Sequence, residues 1–265
     1  MCVASATFAV WTAAWLSGRA ASDDVLDSLA VWGERHEVVA ADTVADALQL
    51  PAWPQPPAPP AQLLATLRKC GARTATLALP APGDVRGLGG PGPLVDAALD
   101  SGEATLFADI GIGLVPHTVA EGVLRWTVYP IPRNAPVEHV GISEAEHELT
   151  EAVRTSAATL AALDVARDRA DAHDALKAHL SAIPRSAWPS GMPGRSLRVL
   201  QRATEIAGIL ELANADDPGG ALSAGSAAQR AEALRPIAGA VRNARSAAVN
   251  EAVRVLTAPA EKYPR

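Results

Sequence analysis

The chain has 265 residues, 49% apolar and 20% charged, with a formal net charge of −6. That balance is globular, long enough for one large domain or two modest ones, and it excludes general disorder. No apolar run of about 18 residues follows the N-terminal stretch, so no membrane-spanning helix is expected, and two cysteines, Cys2 and Cys70, are too few for a metal site and fit a reducing cytoplasm.

The opening MCVASATFAVWTAAWLSGRA carries no basic side chain before Arg19, and Phe8, Val10, Trp11, Thr12 and Trp15 favour a buried strand over a signal segment. SDDVLDSLAVW then has the marks of a helix start, with Ser22 as cap, Asp23 and Asp24 in the first turn, and Val25, Leu29 and Trp32 along one face. Residues 36–42 read as a strand and 43–50 as a short helix capped by Thr43. The stretch PAWPQPPAPP (51–60) holds six prolines, which predicts a stiff, extended connector. Its PxxP spacing also suits an SH3-like partner, but no arginine flanks it closely to fix a docking direction.

Residues 61–72 predict a helix ending at Gly71, 74–80 a strand, 93–102 a helix closed by Gly102, and EATLFADIGIGLVP one or two strands. GVLRWTVYPIP (122–132) alternates, with Leu124, Trp126 and Val128 on one face and Arg125 and Thr127 on the other, as in a sheet with one covered face. From Ser143 the period becomes helical, predicting helices over 143–166, 169–182, 196–216 and 226–257, the last kinked at Pro236. The expected architecture is an α+β or α/β domain with a mixed sheet over residues 1–138, followed by an all-α bundle of about four helices over 139–265.

The stretch GLGGPG offers the most specific chemistry. Gly87, Gly89 and Gly92 satisfy G-x-G-x-x-G between an expected strand and an expected helix, and Asp109 stands near where a ribose-binding acid would. Asp84 and Arg86 would line the same pocket. Against this reading, six residues separate the first glycine from Pro80, and Pro91 and Pro93 remove two donors from the cradle, so a surface loop competes with it. Glu144 and His147 form a single E-x-x-H where a di-iron bundle needs two. His173 and His179 lie about 120° apart on a helix, and Asp164, Asp168 and Asp171 share a face without a histidine, so no metal is expected. Ser223 lacks the first glycine of a nucleophile elbow, and Cys70 falls at a helix end whose dipole disfavours a thiolate. Arg235, Arg242, Arg245 and Arg254 form a basic strip broken by Glu232 and Glu251.

Residues 1–184 carry 22 acidic and 12 basic side chains, and residues 185–265 carry 7 and 11, so the C-terminal excess falls well short of a nucleic-acid-binding patch. The favoured reading is a non-catalytic cytoplasmic protein that acts through a protein partner, with no cofactor and no membrane contact. Its rivals are a small-molecule or nucleotide-binding protein, enzymes included, using Asp84, Arg86, Gly87, Gly89, Gly92 and Asp109, and a nucleic-acid binder using Arg235, Arg242 and Arg245.

Overall fold

A computed structural model describes residues 3–133, 140–162, 172–182, 187–215 and 224–259. Two compact units divide the chain: residues 2–139, 185–193 and 249–265 form one, and residues 140–184 and 194–248 the other. The first is built on a mixed sheet and the second is helical, which makes the protein α+β.

The N-terminal stretch is the helix α1, Ala4–Leu16, not the strand its aromatic and β-branched residues suggest. Alanines at 4, 6, 9, 13 and 14 supply the helical preference. The helix is buried on all sides, so it has no polar stripe from which a period could be read. Next come α2 (Ser22–Leu29), β1 (Arg35–Ala40), α3 (Asp42–Leu48), α4 (Pro60–Lys69), β2 (Thr76–Ala78), α5 (Pro93–Ser101), β3 (Ala104–Phe107), β4 (Ile112–Ala120) and β5 (Val123–Pro130). Ser22 and Thr43 lie just inside their helices and do not cap them. The residue before α2, Ala21, donates its N–H to Asp24 Oδ2 at 2.7 Å, and α3 opens at Asp42 after Ala41.

The sheet order is β1-β5-β4-β3-β2, with β1 parallel to β5 and the other pairs antiparallel. The alternation in β5 is met as expected: Leu124, Trp126 and Val128 are buried, while Arg125 and Thr127 are less so. α1 packs on this sheet through an aromatic row. Phe8 meets Phe107 edge-on at 6.3 Å and Trp126 at 5.0 Å. The indole N–H of Trp126 donates to His36 Nδ1 at 3.1 Å, and His36 Nε2 lies 2.9 Å from the Leu29 carbonyl. Glu103, just before β3, and Thr105 within it hold the first turn of α1 from both sides: Glu103 Oε2 accepts from Ser5 N–H at 2.6 Å, and Thr105 Oγ1 donates to the Ser5 carbonyl at 3.0 Å. α5 packs against β4 and β5, with Leu94 seated over Gly113, where a Cβ would lie 2.8 Å from Leu94 Cδ1 and 3.0 Å from Leu106 Cδ2.

Both outer strands are covered. The proline-rich segment is a fixed part of the fold, pinned along β1: Val38 and Ala58 exchange N–H···O bonds at 2.9 Å, and Ala40 N–H donates to the Pro51 carbonyl at 2.8 Å. At the other edge, Asn250 acts as a substitute strand, its Oδ1 accepting from Leu77 N–H at 2.8 Å and its Nδ2 donating to the Leu77 carbonyl at 3.2 Å.

The helical unit draws on α6 (Ile142–Ala162), α7 (Ala172–Ala182), α8 (Gly194–Ala215) and the first part of α9 (Ala224–Thr257). Ala145 and Leu149 of α6, Val199, Ala203 and Leu210 of α8, and Leu234, Val241 and Ala244 of α9 are buried. Glu146 pairs with Arg195, and Glu148 accepts two bonds of 3.1 Å from Asn243. α9 passes through Pro236 as one helix of 34 residues.

Candidate functional site

The glycine-rich loop is anchored by a side chain that the motif does not count. Leu88 is buried in a cluster with Ala78, Leu94, Ala104, Leu106 and Val115, which fastens the loop to the sheet. Gly87 and Gly89 adopt φ of +81° and +80°, conformations that suit glycine, and Gly92 immediately precedes α5. Asp84 and Arg86 meet each other: Arg86 Nε and Nη2 lie 2.8 and 3.0 Å from the Asp84 carboxylate oxygens.

Asp109 is not brought to this loop. Because β2 and β3 are antiparallel, the residues leaving β3 stand beside those entering β2, whereas the loop leaves β2 at the opposite end. Asp109 Oδ2 accepts instead from Arg73 N–H at 2.7 Å and braces the two strands. In a dinucleotide fold the loop and the acid share one end of parallel strands.

Among the arginines, Arg235 is exposed and pairs with Glu232 at 2.8 Å, while Arg242 and Arg245 are half-buried and already engaged with neighbours. Arg254 pairs with Glu251 at 2.7 Å. Glu144 and His147 are exposed on α6, and Cys70 is an exposed free thiol just past α4. No cluster of three metal-ligating side chains occurs among the described residues. Asp164, Asp168, Asp171 and Ser223, and the side chains of His173 and His179, lie outside them.

The structure assembles a constellation that the sequence leaves scattered. Glu37 on β1, Arg125 on β5 and His117 on β4 stand opposite one another across three strands. Arg125 Nε and Nη2 bond Glu37 Oε2 at 3.1 and 2.8 Å, and Arg35 Nη2 bonds Glu37 Oε1 at 2.5 Å. The Arg125 hydrogen bond, helped by the charge of Arg35, holds the Glu37 carboxyl below the usual range. Burial lowers the pKa of His117, against the opposing pull of Asp100. Above this row, the ring of Trp53 lies 4.7 Å from the Arg125 guanidinium and remains 63% exposed. The alternation in β5 puts Arg125 on the right face, but its partners are Glu37, brought by the parallel β1–β5 pairing, and Trp53, brought by the segment pinned along β1.

No described helix is long and apolar enough to cross a membrane. No solved structure matches the chain. Residues 5–140 match the family described as Rv1486c-like protein, N-terminal domain, and residues 143–246 the one described as Rv1486c-like protein, C-terminal domain. The uncharacterized protein Rv1486c of Mycobacterium tuberculosis is 33% identical over 274 residues, covering 92% of this chain and 95% of that protein. The uncharacterized protein ML1804 of Mycobacterium leprae is 32% identical over 285 residues, covering 93% and 96%. With both family matches and relatives aligned over nearly their whole length, the chain belongs to the Rv1486c-like proteins.

Proposed function

We propose that this protein is a cytoplasmic, non-catalytic protein that acts through contacts with a protein partner, with Trp53 as the anchor of the contact surface. The observation that carries this reading is a tryptophan left 63% exposed on a segment whose backbone is already fixed. Large aromatic and arginine side chains dominate binding energy at protein interfaces, and a pre-ordered loop loses little entropy when a partner covers it. The guanidinium of Arg125 supports the ring from beneath, and Glu37 holds that guanidinium in turn.

Affinity purification of the tagged full-length protein tests this reading. The wild type retains a specific partner, and Trp53→Ala loses it while keeping the same melting temperature. A partner retained equally by both proteins, or no partner in repeated purifications, refutes the role given to Trp53. The rival reading, a nucleotide held by the 83–92 loop, requires a thermal shift with nucleotides that Gly89→Val abolishes.

A further inference from the structure

Between α2 and α4 lies an open groove of about 490 Å³ whose floor is the buried ring of Trp15 from α1. Leu26 lines it from α2 beside the polar Ser22 and Asp23, and Ala61, Leu64 and Ala65 from α4, so the α4 wall is apolar. Along α4, Ala61 to Lys69 spans about 12 Å at roughly 1.5 Å per residue, which places the apolar wall at one end and two cations at the other. The guanidinium of Arg68 lies over Trp15, 3.9 Å from the ring centroid. Among the described residues no carboxylate stands within ion-pair distance of it. Lys69 Nζ donates to the neutral Gln49 Oε1 at 2.6 Å. Against these two cations the lining holds one acid, Asp23.

We propose that this groove binds a single-chain amphiphile with a carboxylate head, of the medium-chain fatty acid class. The acyl chain lies between Leu26 and Leu64, with Ala61 and Ala65 making room for it, and the head meets the Arg68 guanidinium above Trp15 and the lysine. A guanidinium over an aromatic face brings a fork of N–H donors suited to bidentate capture of a carboxylate. The volume lies in the range of small-molecule sites, where apolar walls supply affinity and one or two polar groups supply orientation. This site is independent of Trp53, so the two proposals stand or fall separately.

Isothermal titration of the full-length protein with decanoate, decanol, decyltrimethylammonium and acetate tests it. Decanoate binds saturably with a stoichiometry of one, and the other three bind weakly or not at all. Arg68→Ala combined with Lys69→Ala weakens decanoate about tenfold or more. Ala65→Trp, an exposed position that would fill the groove, abolishes binding while the melting temperature holds. Equal binding of decanol, unchanged affinity in both variants, or no saturable decanoate binding overturns the proposal.

Discussion

His36 is held between a donor and an acceptor: its Nδ1 receives the Trp126 indole N–H, so the proton sits on Nε2 and points at the Leu29 carbonyl. A second proton would set N–H against N–H, and burial also lowers the pKa below the ordinary 6.5. Below that value the unfolded chain binds a proton that the folded chain refuses, so His36 makes stability rise with pH up to the ordinary histidine range. Glu103 acts in the opposite sense. Burial pushes its carboxyl up from 4.5 to about 7, against the Ser5 and Ala4 N–H groups that favour the anion. The folded state then holds the proton more tightly, and stability is lost as pH rises from about 4.5 to 7, by at most about 3 kcal/mol. Denaturation midpoints measured from pH 5 to 8 separate the two: Glu103→Gln leaves only the rising limb of His36, and a wild-type curve as steep as that of Glu103→Gln would show that Glu103 titrates normally. Neither behaviour was legible in the sequence, because each depends on partners supplied by another element.

At the scale of elements, close packing of α5 on β4 rests on the missing side chain at Gly113. Gly113→Val forces Leu94 and Leu106 aside and is expected to cost about 1–3 kcal/mol, read from urea denaturation, whereas Gly90→Val, in open space, strains only its own loop at φ +111°. Elements with two unlike faces were readable: β5 declared itself by alternation, and the later helices by their 3.6-residue period. α1 was not, because a helix wrapped in core on every side leaves no pattern to distinguish it from a buried strand. The surroundings of the glycine motif were hidden for a related reason. Its spacing is visible in the sequence, but the burial of Leu88 and the antiparallel β2–β3 pairing that carries Asp109 away are not.

For the molecule as a whole, the change of period near Ser143 made the succession of a mixed sheet and a helical region legible, since each architecture needs its own periodicity. The closure of the sheet was not legible, because proline content announces stiffness and says nothing of what it lies against. Asn250→Ala removes both amide bonds to Leu77 and is expected to lower stability by about 1–3 kcal/mol and raise light scattering on incubation, as an uncovered edge invites strand addition. Unchanged scattering would mean that other contacts suffice to guard β2.

The covering of β2 also has an order in time. All five strands of the described sheet lie within the first 130 residues, yet the amide that closes β2 belongs to a residue 173 positions after Leu77. A chain growing from its N-terminus therefore has every strand of this sheet long before the ribosome supplies Asn250. A sheet that pairs during that interval presents an open strand to its neighbours on the polysome, and the speed of translating the second half then sets how long it does so.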